Sequence, residues 1–125
     1  MPELILKEEV CAIAGAAMEV YYTLGVGFLE PVYQEALAIE FDRRRIPYAR
    51  EESLKIYYKG IALRKIYRPE FVCYDQIIVE MKSQFRLTPV EEAQIINYLK
   101  ITNMHVGLLI NLGARPKLGW KRYVI

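Results

Sequence analysis

A mixed α/β fold is what this 125-residue chain predicts: two helices, a strand meander, a third helix and two closing strands. Three observations carry that prediction. Apolar residues recur at three- and four-residue steps through the first 45 positions. From Ser53 the period drops to two. Thr88-Pro89-Val90-Glu91 then opens a new helix that leads into a nearly continuous apolar run.

The first helix is expected from Lys7 to Leu24, with Val10, Ile13, Ala14, Ala17, Val20, Tyr21 and Leu24 on one face. Gly25 supplies the stop, because glycine accepts the left-handed conformation that ends helices. Pro31 suits the first position of a second helix, where its missing N–H costs nothing. That helix is expected to end near Arg45, before Pro47. Leu54, Ile56 and Tyr58 alternate with charged and aromatic neighbours in a first strand, and Lys59-Gly60 makes a turn. Ile61–Tyr74 reads as one strand disturbed at Pro69, and Ile77–Lys82 as a third after the turn at Tyr74-Asp75-Gln76. Thr88 caps the third helix, with Pro89 in its first turn and Glu91 returning a bond to the cap. That helix is expected to reach about Asn103. Val106–Leu112 is a nearly continuous apolar run, as a strand buried on both faces would be. The helix before it is a crossover that sets this strand parallel to the third. Lys121–Ile125 is expected as a short edge strand.

The length fits one domain over residues 1–125, large enough to hold a core without disulfide or metal staples. The formal net charge of +2 does not by itself argue for nucleic acid. Basic clusters do occur at Arg43-Arg44-Arg45, from Lys55 to Arg68, and from Arg115 to Arg122, and each equally suits a solvated face. Cys11 and Cys73 are not in CxxC spacing and read as buried free thiols of a reducing compartment. No apolar run reaches about 18 residues, which excludes a membrane-spanning helix. Lys7, Glu8 and Glu9 interrupt the apolar start, so the expectation is a cytoplasmic protein without a signal peptide. Ten tyrosines and 54% hydrophobic residues suit a homodimer, or a monomer whose tyrosines finish a small core.

Glu80 and Lys82 stand two apart on the third strand, so they share a face that Val79 and Met81 do not. A carboxylate and an amine at the end of an apolar strand are costly to bury without a partner or a purpose. Pro69-Glu70 precedes them. A three-residue connection at Tyr74-Asp75-Gln76 sets Glu70 directly opposite Glu80, whereas a two-residue turn would send Glu70 to the other face. Glu80 and Lys82 alternatively form a plain salt-bridged pair.

An acid on one core strand and Glu-x-Lys on the next, followed by a helix, resembles the PD-(D/E)XK nuclease superfamily. Gly27-Phe28-Leu29-Glu30-Pro31-Val32-Tyr33 is similar to the Gly-x-x-Glu-x-x-Tyr signature of one small family within it, the GxxExxY proteins. Gln94 and Tyr98 match the Gln-x-x-x-Tyr motif of the superfamily's exonuclease branch. The resemblance implies a restriction-endonuclease-like αβββαβ core with a mixed sheet flanked by helices. It implies Mg2+, with Mn2+ as substitute, on Glu70 and Glu80, assisted by Glu30. Glu70, Glu80 and Lys82 are the implied catalytic residues, and Gln94 and Tyr98 contact the substrate, DNA or RNA. Hard carboxylate oxygens suit magnesium, which activates water and polarises a phosphodiester. Lysine stabilises the developing charge. The family usually has aspartate where this chain has Glu70. Two rivals stay open: an inactive nuclease-fold protein that binds nucleic acid or a partner protein, and a metabolic or structural protein that uses this face for assembly. Glu30 also suits a helix start, Gln94 and Tyr98 suit ordinary helix positions, and His105 suits a structural one.

Overall fold

The computed structural model describes residues 6–125. Helix α1 (Lys7–Leu24) lies where the periodicity put it, and the Gly25 N–H bonds the Tyr21 carbonyl at its end. Helix α2 (Glu30–Arg43) begins at Leu29 as cap, so Glu30 and not Pro31 is its first residue. It also ends short of Arg45, whose φ of 57° lies outside the helical region.

A strand absent from the sequence reading follows Pro47. This is β1 (Tyr48–Arg50). Strands β2 (Leu54–Tyr58) and β3 (Ile61–Tyr67) pair as an antiparallel hairpin across Lys59-Gly60, with a bulge between Lys55 and Tyr57. The strand expected over Ile61–Tyr74 is in fact two. β3 stops at Tyr67, and β4 (Phe71–Cys73) resumes in a different sheet. Pro69 explains the break, since it has no N–H for the ladder and the chain changes sheets around it. The expected one-sheet meander is therefore corrected: β2 and β3 form a separate two-stranded sheet. The core meander is β1-β4-β5, with β5 at Ile77–Lys82 and the hairpin inserted between β1 and β4.

Helix α3 (Pro89–Thr102) carries the full capping box at Thr88 and Glu91. Strand β6 (Val106–Asn111) pairs parallel to β5, as the crossover requires. Strand β7 (Gly119–Val124) closes the far edge, two residues earlier than the sequence suggested. The five-stranded sheet runs β1-β4-β5-β6-β7, a mixed sheet flanked by helices.

Alternation along β5 and β6 builds two cores. Phe71, Val79, Met81, Leu108 and Ile110 face α1 and α2 with Ile13, Ala17, Tyr33, Leu37 and Phe41. Ile78 and Leu109 face α3, where Ile95 and Leu99 are fully buried. Burying each such side chain contributes about 1.5–3 kcal/mol. Gly107 lets α3 come close, since a Cβ there would sit 3.0 Å from the Ile95 side chain. Cys73 is buried, but Cys11 is exposed on α1, which corrects the expectation of two buried thiols. Among the described residues no helix is long and apolar enough to cross a membrane.

Candidate active site

The C-terminal ends of the parallel strands β5 and β6 are where open α/β sheets leave a crevice. Here β5 ends on Glu80-Met81-Lys82 and β6 on Asn111. Asn111 is buried, and its Oδ1 accepts the N–H groups of Gln84 (3.0 Å) and Gly113 (3.1 Å). The loops leaving the two strands are thereby tied together. A side chain at position 113 would stand 2.6 Å from the Gln84 backbone, so only glycine fits.

The ladder pairs Phe71 with Val79 and Cys73 with Ile77. Carried one step further, that register sets Glu70 opposite Glu80, as the three-residue connection requires. Tyr74 and Asp75 take φ of 56° and 57° to close this turn. The two carboxyl groups are close enough for the charge of Glu80 to act on Glu70. Glu70 Oε1 accepts the Met81 N–H at 2.8 Å, and its Oε2 accepts the Gln34 amide from α2. Glu80 Oε1 accepts the Tyr67 hydroxyl.

Two acids in contact beneath a protein surface cannot both ionise cheaply. Burial pushes Glu70 up to about 7; the Met81 N–H opposes this and the charge of Glu80 adds to it. Burial also raises Glu80, against the hydrogen bonds from Tyr67 and Glu70 and the charge of Lys82. Glu30 is raised by burial and then by Glu70, while Lys82 draws it down. Burial and Glu80 raise Tyr67, so its hydroxyl stays a donor. Lys82 is half-buried and within electrostatic reach of Glu30 and Glu80. It makes no ion pair among the described residues, so the plain salt bridge with Glu80 does not form.

Glu80, Lys82, Gln94 and Tyr98 line one small cavity of about 50 Å³, together with Tyr67 and Glu91. Tyr98 stacks flat on Tyr67 with ring centroids 3.7 Å apart, while Gln94 is exposed at the rim. Glu30 lies apart from this cavity. It lines a second one of about 280 Å³ with Phe28, Ser83, Phe85 and Arg115. Among the described residues no three His, Cys, Asp or Glu side chains gather as a ready metal-holding group. Glu70 and Glu80 stand side by side, and Glu30 is within electrostatic reach of Glu70. Hard carboxylate oxygens in pairs suit a cation that keeps most of its waters.

Two residues of the site were not singled out from sequence. Gln34 stands four after Glu30 and so shares its helix face, a signal that was available. Tyr67 offered none, because its approach to Glu80 depends on how the chain crosses between sheets at Pro69.

The spacing of Gly27, Glu30 and Tyr33 has a local physical basis. Gly27 holds φ at 107°, a conformation other residues avoid. Buried Tyr33 donates its hydroxyl to the Gly25 carbonyl (2.6 Å) and accepts the Phe28 N–H (3.3 Å). The turn that aims Glu30 is fastened from below. Tyr33→Phe keeps the packing and loses both bonds, so urea unfolding should show a loss of about 1–2 kcal/mol. A midpoint equal to the parent's would show that the hydroxyl fastens nothing.

The fold and site define a class: a mixed-sheet α/β domain with an acid on one core strand and acid-x-lysine on the next. The chain belongs to the PD-(D/E)XK nuclease superfamily, whose family model matches residues 7–123. Members of that superfamily generally use divalent metals and act on nucleic acid. Among solved structures, that of SSO0001 is similar in fold, with a TM-score of 0.60 at 13% identity. The match covers 76% of this chain and 49% of that one, so this chain spans about half its length. A search of curated proteins finds no match.

Proposed function

We propose that this domain is a metal-dependent nuclease of the GxxExxY type that hydrolyses phosphodiester bonds in DNA or RNA. The placement of Glu70 across from Glu80 on neighbouring strands, with Lys82 two residues further along the same face, carries the reading. Glu70 and Glu80 hold Mg2+, or Mn2+ in its place, and Glu30 assists from the start of α2. Such an ion, when bound, would supply a water of lowered pKa and polarise the phosphodiester. Lys82 orients that water and meets the charge that develops on the phosphoryl oxygens. Gln94 and Tyr98 flank the substrate at the mouth of the small cavity.

One observation favours a second reading. Both oxygens of Glu70 already accept bonds from the protein, one from Met81 and one from Gln34. A carboxylate so engaged suits a domain that binds nucleic acid without cutting it. The two readings separate in one experiment. Purified protein should nick plasmid or degrade single strands with magnesium or manganese and stop on chelation. Manganese at 100 times its Kd should stabilise the fold by about 2.7 kcal/mol, seen as a higher Tm. Binding without cleavage, and no shift of Tm with manganese, leaves the second reading standing and removes the first.

A further inference from the structure

The β2–β3 hairpin has no part in the acid site except at its foot, yet its surface is unusual. Residues 57 to 66 are all exposed, so both faces of the hairpin beyond its foot meet solvent. An isolated two-stranded ribbon is marginal in water and contributes little to a core. From Ser53 to Pro69 the chain carries Lys55, Lys59, Arg64, Lys65 and Arg68 and no acid. Among the described residues none of these five cations makes a salt bridge.

The ladder sorts the side chains. Lys55 pairs with Ile66 and Tyr57 with Ala62, which puts Lys55, Tyr57, Ala62 and Ile66 on one face, while Arg64 lies on β3 across from the register shift between Lys55 and Tyr57. Tyr57 thus stands beside Lys55 on β2, with Arg64 on the neighbouring strand. The opposite face carries Tyr58, with the Lys59 amine 5.5 Å from the ring centre. The foot reaches the site directly. Tyr67, the last residue of β3, bonds Glu80, and Glu70 follows three residues later.

We propose that this hairpin is a substrate arm that holds single-stranded nucleic acid leading away from the Glu70–Glu80 pair. The proposal rests on the nuclease-fold reading and names the element that grips the substrate. Cations tracking a phosphate backbone beside exposed rings that stack bases are how sequence-tolerant strand binding works. The seven residues of β3, six steps of about 3.3 Å, give the arm a reach of about 20 Å. A second copy of this chain fits the surface less well, since a two-fold contact sets the same cations against each other.

The test needs no cleavage. An oligonucleotide of about 20 nucleotides is titrated by fluorescence anisotropy in chelator across a salt series. The double variant K55A/R64A should lower the slope of log affinity against log salt by about 1.4, from two lost phosphate contacts at about 0.7 each. At 0.1 M salt its binding should weaken about 10-fold or more. Tyr57→Ala should weaken binding about 10-fold with the slope unchanged, because stacking releases no counterions. These side chains are exposed, so Tm should stay near the parent's. A second readout uses the parent alone: the oligonucleotide should slow trypsin cleavage after Lys55, Arg64 and Lys65. Unchanged slope and affinity in the double variant, with no protection from trypsin, overturn the arm while leaving cleavage at the acid pair untouched. Equal affinity for duplex, or for vesicles of anionic lipid, overturns the single-strand assignment. So does a fall in mass of the double variant, from two chains to one, by light scattering. Failure of the nuclease reading looks different, namely parent protein that binds the strand through the arm and never cuts it.

Discussion

Lys82→Ala should cut the rate of phosphodiester cleavage by about 100- to 1,000-fold, the usual cost of removing one preorganised stabiliser of transition-state charge. The fold should survive, because the amine is half-buried and, among the described residues, makes no ion pair whose loss would strand a buried charge. Metal binding supplies the control, and its sign is opposite. Lys82 draws down the pKa of both Glu30 and Glu80 and repels any cation placed between the acids. Without it, manganese should raise Tm by at least as much as in the parent. Cleavage lost together with the metal response would mean that the variant had disturbed the acid pair. Cleavage retained would end the case for Lys82 as the charge-stabilising group. Lys82→Arg should not rescue the rate, because a planar guanidinium cannot occupy the place of a compact ammonium.

The parts of the fold that were legible in the sequence are those that local chemistry decides. Helix α1, strand β5 and the Thr88–Glu91 capping box fall where periodicity and caps put them. The pairing of β6 parallel to β5 follows from a helix lying between them. The opposition of Glu70 and Glu80 was legible as well, because a three-residue connection fixes the parity of the ladder. What was not legible is set by contacts far apart in the chain. Three residues of β1 carry too short a pattern to announce a strand, and their pairing with β4 spans the hairpin. An alternating sequence cannot say whether Leu54–Tyr67 joins the main sheet or stands apart, since both satisfy period two. Pro69 marked a disturbance without saying that the chain leaves one sheet for another there. The role of Tyr67 depends on that crossing. The sequence could not say how Glu30 meets the pair: it lies within electrostatic reach of Glu70 and lines the neighbouring cavity.

Glu70→Gln should trade function for stability, and the direction of that trade depends on pH. In the folded chain Glu70 titrates at about 7 against an ordinary 4.5, chiefly through burial and its carboxylate neighbour. A carboxyl raised in this way disfavours its own ionised form in the native state. Its favourable contribution is complete below about pH 4.5 and is lost as pH rises through about 7. The parent should therefore lose about 1–3 kcal/mol of stability across that window, discounted for the solvent-facing part of the group. The proton belongs to the Glu70–Glu80 pair, so the loss should be spread over the window rather than step at one pH. Glutamine carries no charge to bury. Its oxygen can keep the Met81 N–H, and Gln34 can turn its amide to face the new NH₂. Urea unfolding should find parent and variant similar at pH 4.5 and the variant more stable at pH 8. Manganese should restore the parent at pH 8, because the ion takes the place of the shared proton. It should leave the variant unchanged, with cleavage down about 100-fold or more. Parallel stability curves from pH 4.5 to 8 would mean that no strained acid pair exists, and the metal assigned to it would go with it.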